Sequence, residues 1–495
     1  MAQSSPSARG TARRDPSARR EAWFFGAVVT ATDLLPPRIR YGYVHALTRR
    51  LFRRPLASVE PLGLPGPTAT PAPHATPAPH ATPAPHATPA PHATTALPAT
   101  LTVALVGGSM DVGGIGAVVE VLAAALPSAG VRPVVVCGHD GVRAARLRAR
   151  GTPVVVAEDE AQAEGALRAL APDVIELHGA PVHLEDAALA TGIPCVPVLH
   201  NTEIHYTRAR WHRFAQVLES SPAAIAVSET VREFHARRVA AESARRIHVV
   251  SNASPSAGAP SGEERRAARA AVGRAIGVLG DDDVLIVSLA RYDSQKNVAG
   301  LVASFLDTVT DEGVRLVIAG EPSDWAELRR ADALRRRSDR AHRVALLASS
   351  DARVLLAAAD GFLLDSFFEG WPVAATEAQS AGLALVLADF GGARELVGRD
   401  PEASVVIPNA SGPAGSVSDA AVARARRECG HQRNAAALGA AVDALAARVR
   451  AGSRPRPAPS EPLLSAMAEG HAAVLRSAAR RTAAVSAGHV EGGSR

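Results

Sequence analysis

From Leu101 onward the chain alternates short apolar runs with alanine-rich stretches of helical spacing, and few folds accept that order. Runs this short, apolar on both faces, are strands buried on both sides, and the stretches between them are long enough for helical crossovers. Parallel sheets flanked by helices follow. A first set of strands is expected at 101–107, 133–138, 173–177, 195–199, 223–227 and 247–251, and a second at 284–290, 314–320, 344–349, 361–365 and 384–389. The charged run GEERRAARAAVGRAIGVLGDDD separates the sets. The fold class is therefore α/β, with two successive doubly wound, Rossmann-like units at 101–265 and 280–430. A helical tail occupies 431–495, and its last amphipathic helix, about 461–483, is placed to pack back across the structure.

The first 100 residues form an N-terminal extension of another kind. Residues 1–20, rich in Ser, Arg and Pro, are expected to be disordered, and 21–57 to be helical. The hexapeptide ATPAPH then occurs four times from Ala69 to His92. Proline at this spacing favours a polyproline helix, a semi-rigid linker that reaches roughly 75 Å. The stretch AWFFGAVVTATDLL (22–35) is shorter than the ~20 residues of a membrane span and is interrupted by Asp33. It follows Arg19 and Arg20, but no convincing cleavage site follows, which argues against an export signal. With the basic segment after it, 22–57 reads either as a helix pair or as a peripheral contact with an anionic membrane.

Composition narrows the function. A net charge of +5 suits anionic ligands, and no block interleaves basic residues with stacking aromatics, so nucleic acid is not an expected partner. Cys137, Cys195 and Cys429 are too few and too scattered for a disulfide framework or a zinc site, which fits a cytoplasmic protein. Of the 54 basic residues one is lysine, Lys296. A lysine that survives such a bias marks a place where a compact ammonium does what a guanidinium cannot.

Ligands of open parallel sheets bind beyond the carboxyl ends of the strands. There the first unit offers GGSMDVGGIG before a helix, with Gly113, Gly114 and Gly116, and then His178, His200–Asn201, Ser228–Glu229 and Asn252. Glycines at a helix N-terminus let a phosphate or sugar approach the backbone. In the second unit Arg291 and Lys296 leave the first strand on one short loop, placed for a diphosphate. Cations fixed there stabilise a departing diphosphate more than a bound one. Farther on, DSFFEGWPVAATEAQSAG carries Glu369 before a helix and Glu377 inside it, two carboxylates suited to sugar or ribose hydroxyls. Gly391 and Gly392 precede another helix, as a second backbone anion nest. No Asp-x-Asp stands at a strand end, so neither metal nor further cofactor is expected.

Taken in order, these segments resemble the retaining GT-B glycosyltransferases of family 4, the group 1 transferases, over roughly residues 101–430. The resemblance implies two Rossmann-like domains with the active site in the cleft between them. It implies transfer of a sugar from a nucleotide-diphosphate donor to an acceptor hydroxyl of a glycan, lipid or small molecule, with retained configuration. By the same resemblance Gly113, Gly114 and Ile115 contact donor or acceptor, and His200 lies beside the transferred sugar. Arg291 and Lys296 hold the diphosphate, Glu369 meets the sugar hydroxyls, and Glu377 meets the ribose. Gly370, Gly391 and Gly392 line the donor. The family often reads E-G-F-G-L-P where this chain reads EGWPVA, so Pro372 and Ala374 set the donor-sugar loop apart. Two other readings share these features: a transferase-like subunit that binds without turnover, and a sugar-nucleotide 2-epimerase. A dehydrogenase does not, because GGIG lacks the G-x-G-x-x-G spacing.

Overall fold

A computed structural model describes residues 16–36, 40, 44–62, 100–111, 113–255, 258–277 and 279–491. The ATPAPH repeat and residues 1–15 lie outside them.

The first unit is a seven-stranded sheet built from β1 (Leu101–Ser109), β2 (Val131–His139), β3 (Val154–Val156), β4 (Val174–His178), β5 (Cys195–Leu199), β6 (Ala224–Ala226) and β7 (Ile247–Val249). Its order is β3-β2-β1-β4-β5-β6-β7, and every pairing is parallel. The second has six strands, β8 (Val284–Leu289), β9 (Val314–Ala319), β10 (Val344–Leu347), β11 (Gly361–Leu364), β12 (Ala384–Ala388) and β13 (Val405–Ile407). Their order is β10-β9-β8-β11-β12-β13, again parallel throughout. In both sheets the order reverses beside the first strand, β1 or β8, which opens a crevice at the carboxyl ends.

All eleven expected strands are present. Two more, β3 and β13, close one edge of each sheet; each is three residues long and mostly half-buried, too little for an apolar run to stand out. Most of the charged run between the units is a helix. Ser261 caps the helix Gly262–Ile276 in a capping box with Glu264. Arg265 and Arg269 on that helix bind the Asp360 carboxylate just before β11. The helix thus packs on the second unit, beside the helix Ala352–Ala358.

The tail behaves as its pattern foretold. The helix Ser460–Glu491 crosses to the first unit, where Met467 accepts the Ala253 amide, His471 meets Glu176, and Leu475 joins the core. In the extension, residues 16–20 open a helix, Pro16–Asp33, rather than a disordered segment. With a second helix, Val44–Phe52, it lies on the helix Trp325–Arg337. Phe25 and Val29 pack on Ala326, and the buried Asp33 pairs with Arg426. A buried carboxylate held this way anchors the extension, because losing its arginine would strand a charge. The chain then runs along the second unit: Ala348 donates to the Ala57 carbonyl and Asp351 to that of Val59, both at 2.8 Å.

Candidate functional site

The carboxyl ends of the two sheets meet, and the loops that follow them touch. After β11 the chain turns through Ser366–Glu369 to Gly370. A Cβ built on Gly370 would lie 1.7 Å from the carbonyl oxygen of His200, at the end of β5. One unit's backbone therefore rests on the other's with no room for a methyl group. Nearby the Glu229 amide donates to Glu395 Oε1 at 2.8 Å, and Arg237 Nη1 donates to the Gly415 carbonyl at 2.7 Å. These bonds also join the two units.

Lys296 and Glu369 leave different strands of the second unit and form an ion pair at this seam. Ser366 Oγ donates to Glu369 Oε1 at 2.8 Å, and Gln295 Nε2 to Oε2 at 3.1 Å, so both oxygens of the buried carboxylate are engaged. Asn297, in the left-handed region at φ 52°, starts the helix Val298–Thr308 and donates to Asp365 Oδ2 at 2.8 Å. Asn434 donates to Asp365 Oδ1, also at 2.8 Å. Burial still pushes Asp365 up to about 7. These bonds lock the Lys296 loop to the Glu369 loop. Arg291 is looser: its side chain is 52% exposed and lies 3.1 Å from Asp293.

Gly391 and Gly392 also have a packing role. A Cβ on Gly391 would meet the Gly370 carbonyl oxygen at 2.4 Å, and one on Gly392 the Trp371 ring at 2.2 Å. The Gly392 amide donates to Gly370 and the Ala393 amide to Phe390, so this turn spends two amides of the expected anion nest on the protein itself. Asn409 clamps the same loops by donating to the carbonyls of Ser366, Phe367 and Asp389.

In the first unit Gly113, at φ 150°, leads into the helix Gly114–Ala125. Open space surrounds both Gly113 and Gly114, and Ile115 covers Gly179 beyond β4. Glu377 lies on the helix Val373–Ser380. It lines a cavity of about 670 Å³ between its helix and Gly114–Ala125, and a second, of about 630 Å³, walled by Leu62, Pro255 and Leu356. Burial raises its pKa, while Arg143 of the first unit pulls it back. Among the described residues the Glu377 carboxylate has no hydrogen-bond partner, as suits a carboxylate facing a ligand.

His200 is not isolated. Its Nε2 lies 3.0 Å from His178 Nδ1, and His178 in turn adjoins the buried Glu176. Burial, with His178 and His471 nearby, holds the His200 pKa well below its ordinary value. The sequence pattern did not single out Gln295, Asp365, Asn409, Glu176 or His471. Glu176 alone left a signal, as a charge inside the otherwise apolar run DVIEL.

Two family descriptions match the chain, one on each unit: "Glycosyltransferase Family 4" over residues 112–254 and "Glycosyl transferases group 1" over 273–414. Solved structures of similar fold include Anabaena HepE in complex with UDP-glucose, 18% identical, covering 71% of this chain and 100% of that one at a TM-score of 0.52. A glycosyltransferase from Rickettsia africae is 12% identical, covering 78% and 97% at 0.54. Sucrose-phosphate synthase from Thermosynechococcus elongatus is 16% identical, covering 71% and 100% at 0.50. No curated protein matches in sequence. Two Rossmann-like units meeting at their strand ends, with these likenesses, define a glycosyltransferase of the GT-B fold. The chain belongs to the group 1, family 4 glycosyltransferases.

Proposed function

We propose that the chain moves a hexosyl or related sugar from a nucleotide-diphosphate donor to an acceptor hydroxyl of a glycan, lipid or small molecule. In this reading the reaction runs in the cytoplasm, with retained configuration and without a metal. The observation that carries it is the Lys296–Glu369 pair, drawn together at the seam where Gly370 meets His200. As the donor's anomeric C–O bond breaks, the diphosphate takes the electron pair. The acceptor oxygen forms the new bond, and its proton passes to the departing phosphate oxygen. Lys296, assisted by Arg291, stabilises the charge that develops, work that a divalent ion would otherwise do. Glu369 is freed from Lys296 to accept sugar hydroxyls, and Glu377 accepts those of the ribose. Nucleotide-sugar binding by HepE, at the same fold, is consistent with this reading.

A thermal-shift panel of nucleotide sugars picks the donor, because a ligand that binds the native state raises the melting point. Transfer assays with and without a chelator, with the product anomer read by NMR, then test the rest. Turnover that stops on chelation would remove the metal-free reading. Tight donor binding with no transfer to any acceptor would favour a silent subunit, and a changed donor sugar without acceptor an epimerase.

A further inference from the structure

The N-terminal helix pair buries one face and leaves an apolar one outside. Trp23 is 76% exposed and Leu34 84%, and Phe24, Leu47 and Leu51 are also exposed. Trp23, Ala27 and Thr30 recur at helical spacing on the outer face of Pro16–Asp33, where a surface helix ordinarily carries charge, and Leu34 follows in the turn just past its end. Leu47 and Leu51 form a matching pair on Val44–Phe52. The Phe24 and Phe25 rings pack edge-on against Phe52, the neighbour of Leu51, so the two stripes adjoin.

The charge on this element is one-sided. Residues 22–57 contain six arginines and one carboxylate, Asp33. That carboxylate is buried and spent on Arg426, and Glu21, just ahead, is spent on Arg329 and Arg336. Arg49, Arg50, Arg53 and Arg54 are exposed beside Leu47 and Leu51. Aromatic and aliphatic side chains flanked by arginines, with the carboxylates turned inward, complement an apolar layer beneath a negative surface. No described helix is long and apolar enough to cross a membrane, so contact would be peripheral.

We propose that this helix pair docks the protein on an anionic lipid surface, with Trp23, Phe24, Leu47 and Leu51 entering the interface and the four arginines binding headgroup phosphates. The inference is independent of the sugar-transfer reading. Its test is co-sedimentation of the full chain with vesicles of phosphatidylcholine alone or mixed with phosphatidylglycerol. Binding is expected to need phosphatidylglycerol and to weaken with salt. Arg49→Gln with Arg50→Gln should lower the partition coefficient about fivefold per arginine. Trp23→Ser with Leu47→Ser should lower it more than tenfold, with melting temperature and transfer to a water-soluble acceptor unchanged, because both side chains are largely exposed. Absence of binding to phosphatidylglycerol vesicles, or binding that neither variant alters, would overturn the proposal. Loss of self-association in Trp23→Ser without vesicle binding would give the face to a second copy and overturn it as well.

A different observation concerns His200 and rests on the proposed reaction. Glu176, His178 and His471 are fully buried. His471 Nδ1 lies 2.6 Å from Glu176 Oε1, and His178 Nε2 lies 3.5 Å from Oε2. His471 is hydrogen-bonded to Glu176 Oε1, whereas His178 Nε2 faces Oε2 at an ion-pair distance with no other partner for either atom, so the carboxylate's charge favours a proton on that nitrogen. His178 then carries its proton on Nε2 and presents a lone pair from Nδ1, so the His200 Nε2, 3.0 Å away, must be the donor. We infer that Glu176 and His471 are positioning residues that fix His200 as the Nε2–H tautomer, leaving its Nδ1 as an acceptor. Nitrogen-15 NMR of the labelled protein reads that tautomer without turnover, so its result stands apart from that of the transfer assay. Wild type should show Nε2–H at His200. Glu176→Gln should mix the tautomers and lower kcat about tenfold or more with donor KM within twofold. An Nδ1–H tautomer in wild type, or one unaltered in Glu176→Gln, would overturn the inference.

Discussion

Replacing Gly370 by alanine tests whether the two units must close on each other for catalysis. The new Cβ would lie 1.7 Å from the His200 carbonyl oxygen, 2.4 Å from its carbon and 2.9 Å from the Asn201 Cα. An ordinary carbon–oxygen contact is about 3.3 Å, so the surfaces must separate by roughly 1.5 Å. Neither side can give locally. Gly370 accepts from Gly392 and abuts Gly391, and His200 ends a buried strand and is held by His178. Separation of the units is the cheaper relaxation, and it draws Lys296 and Glu369 away from the opposing face. A displacement of about 1 Å at a reacting centre can cost 100-fold in rate, equivalent to about 2.7 kcal/mol of barrier. Sugar transfer by Gly370→Ala should therefore fall about 100-fold in kcat/KM, measured at saturating acceptor with the donor varied. The control is Gly165→Ala, on the helix Glu160–Leu170 with open space around it. Alanine there should leave kcat/KM unchanged and stabilise the protein by about 0.5–1 kcal/mol. Activity of Gly370→Ala within threefold of wild type would refute closure.

Other outcomes are specific to single side chains. Lys296→Arg keeps the charge but puts a planar fork where an ammonium meets Glu369, and should lower kcat/KM about tenfold or more in the same assay. Lys296→Ala should also destabilise the fold, by about 1–3 kcal/mol in denaturant melts, because it leaves a buried carboxylate without its cation. Glu377→Ala should weaken binding of the nucleoside diphosphate about tenfold by calorimetry, while the melting temperature holds, since that carboxylate has no protein hydrogen bond to lose. Asp365 binds its proton more tightly when folded, near 7, than an ordinary carboxyl at 3.8. The folded state thus holds the extra proton between those values, and stability falls as pH rises from about 4 to about 7 and is flat above. Asp365→Asn should show a shallower decline across that window in pH-dependent melts.

The strands were legible because burial on both faces leaves an unbroken apolar run, and parallel sheets bury all but their edges. β3 and β13 escaped for the complementary reason. The charged run before β8 was legible as the boundary between the two sets of strands, but its Ser261–Glu264 box and two arginines reaching one aspartate, which make it a packed helix, were not. Of the site, Lys296 and Glu369 stood out by rarity and by position after a strand, and the fold pairs them. Their supports did not stand out. Asp365 is held by Asn297, 68 residues away, and by Asn434, 69 residues away. Glu176 finds His471 across 295 residues. No local pattern encodes contacts that only the closed topology creates. The glycines after β12 were read as ligand-binding from their place before a helix, and their close neighbours add a steric reason that the sequence did not show.

Sugar transfer as proposed requires Lys296 to exchange Glu369 for the donor's diphosphate. A crystal structure with the nucleoside diphosphate that gives the largest thermal shift measures this exchange. A phosphate oxygen is expected about 2.8 Å from Lys296 Nζ, with Arg291 turned from Asp293 toward the same group. A diphosphate bound elsewhere, with Lys296 still paired to Glu369, would contradict the exchange.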